Sequence, residues 1–542
     1  MHYTLMSDFS KPYNPQETEP NIYELWLKSG FFTPENLPDA ENRSPFTIIL
    51  PPPNVTAALH MGSALMLAIQ DTIIRFERMR GKKALWLPGT DHASIATETK
   101  FLKDTKINRS DYSENRDEFI RLVNEFALKN QNTIINQMRA MGASLDWSRL
   151  AYTLDKERSE AVQEAFMRMH ETGLIYMGSG KVVNWDSKGQ TVVSDEEIEY
   201  EPSQTMLYTF RYAKDIPIAV STTRPETKVG DTAIAVHPDD KRYKKYIGQT
   251  FDTKFVGVMV SLKIIGDPSV DPNFGTGALG VTPAHSIIDS EIASRHNLPS
   301  RQIINEFARM TEEAGPLVAG KKTMEARDIV VNYLKENGLL EKEELIDQNV
   351  PRAQRSGGII EPLPKRHQFF VNVNKIIKER DNKTLKELMR EAVQSGKIKI
   401  LPERFEKIYF NWIDNLRDWS ISRQIWYGHR LPVWYQQSAD EYIVSKTRPA
   451  GDGWVQFSDT LDTWFSSSLW TFSTLGWPEE TADLAMYHPT DVLETAYDIL
   501  FFWVTKMILM SEFLIGDIPF KTVYLHGLVR DEKIEKYLNL LA

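Results

Sequence analysis

Residues 51–65 read PPPNVTAALHMGSAL and directly follow the β-rich run TIIL at 47–50. Three prolines end this strand, because proline has no N–H to donate to a sheet. The apolar pattern of 58–81 predicts a helix that ends at Gly81, and KALWLPGTDHA (83–93) predicts a second strand followed by a loop. Strand, helix and strand in this order predict a βαβ unit of a parallel sheet, whose ligands bind beyond the carboxyl ends of the strands.

The start of this helix has a composition suited to phosphate. A helix N-terminus after a parallel strand offers free N–H groups and the positive end of the helix dipole. Gly62 lets a phosphate or an adenine approach the backbone closely, and His60 adds a donor for a phosphorane-like transition state. Taken alone, the stretch fits equally well a proline-terminated strand and a helix that carries a surface histidine.

Length, charge and cysteine content narrow the class of protein. The 542 residues predict three or four domains at roughly 150 residues each. A net charge of −10 argues against a protein that coats nucleic acid, but it leaves room for a local basic groove. The absence of cysteine excludes disulfides and thiolate zinc sites, so we expect no protein-bound zinc.

Neither terminal nor internal segments of the sequence predict a membrane protein. The N-terminal residues lack the apolar core of a signal peptide. The most apolar stretch, 497–515, carries Asp498, Lys506 and Glu512, which favours a buried helix over a membrane span. We therefore expect a cytoplasmic protein, monomeric and without a membrane partner.

The predicted secondary structure of the chain changes at two points in the sequence. Between 203 and 345 it consists of short β-like segments separated by turns, such as YTFRYA, FVGVMV and FGTGALGVTP. This predicts a β-rich domain inserted between two halves of an α/β domain, 1–202 and 346–542. The first half includes an N-terminal segment and connecting helices, and the second half is rich in tryptophan.

Several further motifs occur in a characteristic order. They are GTDHASIATE (89–98), NWDSKGQTVVSDEEIEY (184–200), STTRPETKVGDTAIAVHPDD (221–240), LDTWFSSSLWTFSTLGWP (461–478) and ETAYDILFFWVTKMI (494–508). With PPPNVTAALHMGSAL, whose helix start is similar to a His-x-Gly-His signature, they resemble class I aminoacyl-tRNA synthetases, and in particular the valyl-tRNA synthetase family. The resemblance implies an α/β fold with a Rossmann-like parallel-sheet catalytic domain and an inserted β-rich editing domain.

The resemblance also implies an activity and its partners. Valine and ATP, accompanied by Mg²⁺, would give valyl-adenylate, and the valyl group would pass to the acceptor end of tRNA(Val). No carboxylate cluster marks a metal site of the protein itself. The residues that the resemblance assigns to ATP are Asn54, Thr56, His60, Gly62 and Ser63, and those that it assigns to catalysis are His60, Gly62, Ser63 and Lys536.

A second set of residues is assigned to valine by the same resemblance. Asp91 would pair with the valine ammonium, since a carboxylate is the natural partner of a buried cation. A loop-capping role for Asp91 and an ordinary core role for Trp464 stay open as alternatives. The full valine set consists of Pro52, Asn54, Asp91, Trp464 and Ile499.

The inserted domain implies hydrolytic editing. A small apolar pocket cannot strongly reject threonine in place of valine, and this family of enzymes is a known case in which a second, hydrolytic site is used. Asp289 stands where editing domains hold the misattached amino group. The alternative for the TTRPET segment is a simple strand-to-turn connection. The editing set consists of Thr222, Thr223, Arg224, Thr227, Phe274 and Asp289.

The sequence departs from the family pattern at four positions. Ser63 replaces the second histidine of the signature, which predicts weaker ATP activation through the loss of one charge-assisted contact. Ser94 replaces a glycine in the GTDHA motif. Gly280 replaces a lysine and Ser286 an aspartate of the editing motif, which predicts weaker editing.

The last residues differ from the family most. GLVRDEKIEK (527–536) leads into the position of a Lys-Met-Ser-Lys-Ser loop, but only Lys536 matches it before YLNLLA. We expect a truncated form with impaired activity that lacks the anticodon-binding domain. A one-nucleotide frameshift after codon 536 would restore Ile-Ser-Lys-Ser, which the nucleotide sequence tests. An editing-only hydrolase and a non-catalytic tRNA-binding fragment are the alternatives.

Overall fold

The computed structural model describes residues 12–436 and 441–530, which divide into two compact units. The first unit contains the residues up to Ile175, Asn372–Asp418 and the residues from Ile425 onward. The second unit contains Tyr176–Val371 and Trp419–Gln424. Lys536 lies outside the described residues, so its predicted catalytic role stays a prediction.

A parallel sheet forms the centre of the first unit and confirms the predicted α/β class. Its strands are β1 Pro45–Ile49, β2 Lys83–Leu87, β3 Lys399–Leu401, β4 Thr490–Ala496 and β5 Phe520–His526. They lie in the order β3-β5-β4-β1-β2, and each neighbouring pair is parallel.

The opening βαβ unit folds as the sequence predicts. β1 and β2 pair over their whole length, and the helix between them, α1, spans Met61–Met79. Ile48 and Trp86 are fully buried, as expected for strands of a parallel sheet that is covered on both faces. Helix α1 packs against the sheet through Met66, Leu67 and Ile74, which recur at helical spacing on one face.

The first unit also contains further α-helices and short strands. The helices are Pro15–Ser29, Ser94–Thr105, Arg116–Ala140, Lys156–Glu171, Leu385–Gln394, Arg404–Asn415, Thr463–Ser467, Trp470–Ser473, Ala482–Tyr487 and Thr505–Leu514. Its short strands outside the parallel sheet are Gly89–Thr90, Ala151–Tyr152, Val433–Gln436, Tyr442–Val444, Trp454–Gln456 and Thr460–Leu461.

The apolar stretch 497–515 folds within the first unit. It continues from the 3₁₀ turn Tyr497–Ile499 through the π-helix Leu500–Val504 into the α-helix Thr505–Leu514. Trp503 is almost fully buried, in line with the prediction of a buried helix. Among the described helices, none combines the length and the apolar character needed to cross a membrane.

The second unit is built mainly from antiparallel sheets and two α-helices, Ile287–His296 and Thr323–Glu336. One pair breaks this pattern, because Ala233–Val236 runs parallel to Val258–Gly266. The strands are Ile175–Gly178, Lys181–Asp186, Thr191–Val193, Ile198–Phe210, Val220–Thr222, Ala233–Val236, Thr250–Phe255, Val258–Gly266, Ala278–Val281, Leu340–Ala353, Ile360–Lys365, Gln368–Val371, Trp419–Ser420 and Ser422–Arg423.

The second unit includes residues on both sides of the β-rich segment 203–345 predicted from the sequence. Its hydrophobic core joins residues before that segment, Val183 and Trp185, to Phe210 and Phe255 within it and to Phe370 after it. A shared core of this kind makes the flanking strands part of the same unit. The role of this unit as an editing domain stays a prediction.

Candidate active site

The loops that follow β1 and β2 lie side by side at the carboxyl edge of the parallel sheet. The N–H of Val55 donates to the carbonyl of Asp91 at 2.9 Å, and the N–H of Asp91 donates to the carbonyl of Pro53 at 2.9 Å. Two predicted residues, Asn54 and Asp91, are therefore neighbours. Because β1 lies between β2 and β4, the crevice beyond its carboxyl end is where an open parallel sheet of this kind binds ligands.

The helix that starts at this edge is capped by a predicted site residue. His60 is the N-cap of α1, and its Nδ1 accepts a hydrogen bond from the N–H of Ser63 at 3.2 Å. A Cβ at Gly62 would lie 2.9 Å from Cε1 of His60, so the glycine leaves room for this ring. Gly62 thus serves the cap of the helix, a structural need that the sequence did not reveal.

Ser63 is buried behind this cap. Its Oγ lies 3.5 Å from both ring nitrogens of His60, which is too long for a strong hydrogen bond. The remaining predicted ATP residues, Asn54 and Thr56, are exposed and half-buried respectively. These residues gather around one helix N-terminus, and their role in ATP binding stays a prediction.

Asp91 is a buried carboxylate with several donors. Its Oδ1 accepts from the N–H of Ala93 at 3.0 Å and from Oγ1 of Thr153 at 2.9 Å, and its Oδ2 accepts from Oγ of Ser467 at 2.9 Å. Burial alone would raise the pKa of Asp91, but these hydrogen bonds and the neighbouring His92 outweigh it and lower the pKa. The carboxylate is therefore ionised at neutral pH, as an ammonium partner must be.

A short helix brings the predicted tryptophan to the same place. Trp464 lies in Thr463–Ser467, the helix whose Ser467 contacts Asp91. Its ring is half-buried and packs against Phe502 at 5.5 Å between centroids. Trp470 and Trp503, by contrast, are fully enclosed in the core.

The other two residues of the predicted valine set lie on different segments of the carboxyl edge. Pro52 is half-buried in the loop after β1. Ile499 is half-buried and ends the 3₁₀ turn that directly follows β4. The valine set thus lies in loops and turns after β1, β2 and β4 and on the helix Thr463–Ser467, and its role stays a prediction.

A buried polar cluster beneath this edge was missed by the sequence analysis. Glu494 in β4 is fully buried, forms a hydrogen bond with Nδ1 of His526 in β5, and accepts from Nε2 of Gln70 at 3.0 Å. Oε1 of Gln70 in turn accepts from Nε1 of Trp86 at 2.9 Å. The signal in the sequence is an acid inside an otherwise apolar strand, within the motif ETAYDIL. The cluster ties α1 to the central strands.

The predicted editing residues 222–227 form one turn in the second unit. Oγ1 of Thr222 accepts from the N–H of Arg224 at 3.0 Å, and Oγ1 of Thr227 donates to its carbonyl at 2.9 Å. The Arg224 guanidinium pairs with Glu361 at 2.5 Å. Thr223, within this turn, is half-buried.

Phe274 lies close to the strand Val220–Thr222 and is exposed, whereas Asp289 is buried. Phe274 is 58% exposed, and the next residue, Gly275, packs so closely on Ser221 that a Cβ would lie 2.7 Å from the serine Cβ. Oδ2 of Asp289 accepts from the N–H of Thr282 at 2.7 Å.

Ser286, which departs from the family pattern, has a structural role in this part of the unit. Its Oγ accepts from the N–H of Asp289 at 3.2 Å and thereby caps the helix Ile287–His296. The same Oγ lies 3.0 Å from Oδ1 of Asp289 and donates to it. The serine therefore fixes the start of this helix and one oxygen of the buried carboxylate together.

The position of Gly280 is surrounded by polar groups. A Cβ there would lie 2.2 Å from Oδ2 of Asp231 and 2.4 Å from the hydroxyl of Tyr212. The Nζ of Lys228 donates to the Gly280 carbonyl at 2.7 Å. An ammonium is thus present at this position although residue 280 is a glycine. Lys228 directly follows the TTRPET motif in the sequence, and only the fold brings it to residue 280.

Two buried histidines predict how stability depends on pH. Burial, with His92 nearby, lowers the pKa of His429 to about 3, and burial, with Arg224 nearby, lowers the pKa of His285 to about 3. Below an unfolded pKa of about 6.5 the unfolded chain binds protons that the folded chain does not. Each histidine therefore costs about 2 kcal/mol of stability at pH 5 relative to neutral pH.

Chemical denaturation at several pH values tests this expectation. Nε2 of His429 contacts the carbonyl of Thr153 at 2.8 Å, and His429→Gln keeps a donor for this carbonyl. In this variant the free energy of unfolding of the first unit should fall less steeply as the pH is lowered, so its acid slope should be flatter. His237→Gln, at a half-buried histidine of the second unit, is the matched control and should keep the slope. An unchanged acid slope in His429→Gln would contradict the assignment.

Comparison with known proteins defines the class to which this fold and site belong. The model of the family described as tRNA synthetases class I (I, L, M and V) matches residues 21–450 and 446–538. The chain therefore belongs to the class I tRNA synthetases. The ternary complex of Agrobacterium radiobacter K84 agnB2 LeuRS with tRNA and LeuAMS shares the fold, with a TM-score of 0.52 at 16% identity, over 97% of this chain and 69% of that one.

Within this family, the chain is similar to valine--tRNA ligases. It is 43% identical to that of Clostridium acetobutylicum in an alignment of 547 positions that covers 99% of this chain. It is 44% identical to that of Thermotoga maritima in an alignment of 539 positions that covers 97% of this chain. The chain spans 60% of the length of each of these two relatives.

No metal centre is evident in the part of the chain that the structure describes. Residues 12–436 and 441–530 contain no group of three or more His, Asp or Glu side chains placed to hold a metal ion.

Proposed function

We propose that the chain is a valine–tRNA ligase that activates valine with ATP and transfers it to the acceptor end of tRNA(Val). The observation that carries this proposal is the buried carboxylate of Asp91, which accepts three hydrogen bonds and neighbours Asn54 in the loop that leads to the capped N-terminus of α1. Similarity to valine--tRNA ligases supports the choice of valine over other amino acids.

The proposed first reaction is adenylate formation. Asp91 holds the valine ammonium while the half-buried Pro52, Trp464 and Ile499 line the side-chain pocket. The valine carboxylate attacks the α-phosphorus of ATP, whose Mg²⁺ arrives with it, and pyrophosphate leaves. The N-terminus of α1 and His60 face the phosphates, where N–H donors and the helix dipole stabilise negative charge.

The proposed second reaction is hydrolytic editing in the second unit. Water adds to the ester carbonyl of threonyl-tRNA(Val), and the ribose hydroxyl leaves with a proton. Asp289 binds the threonine ammonium, while Thr222, Thr223, Arg224, Thr227 and Phe274 form the surroundings of the ester. We further propose that the enzyme is monomeric and cytoplasmic, and that Ser63, in place of a histidine, lowers its rate of valine activation.

Valine-dependent exchange of pyrophosphate into ATP tests the first reaction and the effect of Ser63. Ser63→His should raise the exchange rate about tenfold, because a charge-assisted hydrogen bond contributes about 1.5–3 kcal/mol. Ser63→Ala should lower the rate only a few-fold, since Oγ makes no short hydrogen bond to the His60 ring. Equal rates in all three proteins would show that Ser63 does not limit the rate of exchange. Deacylation without exchange would favour an editing-only protein.

A further inference from the structure

We infer that Lys228 is the positioning residue of the hydrolytic site in the second unit, where it holds Thr282 and, through it, the carboxylate of Asp289. The inference rests on the proposed editing function and adds Lys228, which lies in the motif 221–240 but is not among the residues that the resemblance assigns to editing. It is carried by four side chains that the fold brings together in the interior of this unit: Tyr212, Lys228, Asp231 and Thr282.

The ammonium of Lys228 is fully satisfied by acceptors. A lysine has three N–H donors, and here three acceptors surround Nζ: the Gly280 carbonyl at 2.7 Å, Oγ1 of Thr282 at 2.7 Å and Oδ1 of Asp231 at 3.2 Å. The lysine is only 5% exposed. Lys228 therefore has no donor left for a substrate and acts through the groups that it holds.

Thr282 connects Lys228 to Asp289. Its Oγ1 accepts from Lys228 and donates to Oδ1 of Asp231 at 2.5 Å, which fixes the rotamer of the threonine. Its backbone N–H donates to Oδ2 of Asp289 at 2.7 Å. A shift of Thr282 would therefore move the donor that orients Asp289.

The charge of Lys228 acts on Asp289 as well. Burial raises the pKa of Asp289, and the nearby Lys228 ammonium opposes this rise. Burial also raises the pKa of Asp231, the other carboxylate of the cluster, and the Lys228 ammonium opposes this rise too. The Tyr212 hydroxyl, which donates to Asp231, has a pKa well above 10 because of burial, and His285 has a pKa of about 3 because of burial.

The small residue at 280 is part of the same arrangement. With the Lys228–Asp231 pair in place, any side chain at 280 would overlap Asp231 and Tyr212. We therefore expect that Gly280→Lys does not add a useful ammonium to this chain but disrupts the cluster, lowering deacylation and the melting temperature together.

The test is hydrolysis of threonyl-tRNA(Val), followed between about pH 5 and 8, by the unsubstituted chain and by Lys228→Met. We expect the rate of Lys228→Met to fall at least about tenfold and the acid limb of its pH profile to move up by about one unit, the effect of removing an opposite charge nearby. Loss of folded protein alone would lower the rate but leave the limb in place. Lys263→Met, at an exposed lysine of the same unit, is the matched control.

A second variant separates the loss of the Lys228 side chain from a loss of folded protein. Lys228→Met combined with Asp231→Asn removes the charge that would be left unpaired, so it should melt closer to the unsubstituted chain. Its rate should stay low because Thr282 still lacks the Lys228 donor, while its acid limb should shift less than that of Lys228→Met, since the Asp231 charge that acts on Asp289 is gone as well. A Lys228→Met protein with unchanged rate and pH profile would overturn the inference and leave editing intact.

The failure of editing itself is distinguishable. If the unsubstituted, folded chain hydrolyses no threonyl-tRNA(Val), the proposed editing function fails. The inference is then decided by ¹³C-carboxyl titration of Asp289, assigned with Asp289→Asn. An upward shift of its pKa in Lys228→Met supports the positioning role, and an unchanged pKa overturns it.

Discussion

Replacing Asp91 with Asn should weaken the binding of a stable valyl-adenylate analogue by about 100-fold. The substitution keeps the size of the side chain but removes the charge that we propose faces the valine ammonium, and a buried ammonium left without its partner costs about 3 kcal/mol or more. Isothermal titration calorimetry of the two proteins with the analogue measures this difference.

Two controls separate charge from packing in this experiment. Ser467→Ala removes one donor to Asp91 but keeps the carboxylate, and we expect at most about a tenfold loss of affinity. An unchanged melting temperature of Asp91→Asn would show that the fold is intact. If Asp91→Asn binds the analogue as tightly as the unsubstituted chain, Asp91 is a loop-capping residue and the valine site lies elsewhere.

Gly89→Ala should destabilise the first unit by about 3 kcal/mol, at the upper end of what overpacking costs. A Cβ at Gly89 would lie 2.1 Å from Cζ2 of Trp470, far inside van der Waals contact. The indole has no room to move, because it is fully buried and its Nε1 donates to the carbonyl of Leu50 at 3.0 Å. Gly89 lies two residues before Asp91, so analogue binding should weaken as well.

The control for this effect is a glycine without neighbours. Nothing lies within 4 Å of a Cβ added at Gly527, so Gly527→Ala should have little effect on denaturation. The measurement is urea denaturation followed by tryptophan fluorescence. A Gly89→Ala protein as stable as the unsubstituted chain would mean that Trp470 is not packed as described.

The sequence predicted local structure at the opening motif well. Prolines, a continuous apolar run and a helical pattern act over a few residues, so the order of β1, α1 and β2 followed from residues 45–87 alone. The second unit extends beyond the β-rich segment 203–345 because Val183, Trp185 and Phe370 join its core from outside that segment. Core membership of this kind depends on tertiary contacts that a change in composition does not mark.

The surroundings of the site residues were harder to predict. The resemblance indicated Asp91, but its donor Ser467 lies 376 residues further along the chain. Lys228 was missed because its acceptors at Gly280 and Thr282 lie 52 and 54 residues away and become neighbours only through the sheet. Side chains that position a reactive group carry no motif of their own, so they are visible only once the chain is folded.

The most direct test of the proposed function is the amino-acid dependence of ATP–pyrophosphate exchange by the unsubstituted chain. We predict exchange with valine, much weaker exchange with threonine, and none above background with leucine, methionine or isoleucine. The prediction follows from the proposed pairing of Asp91, whose pKa is lowered, with the valine ammonium, and from the proposed small apolar pocket for the valine side chain. A folded chain that exchanges with leucine or methionine in preference to valine, or that exchanges with no amino acid at all, would contradict the account.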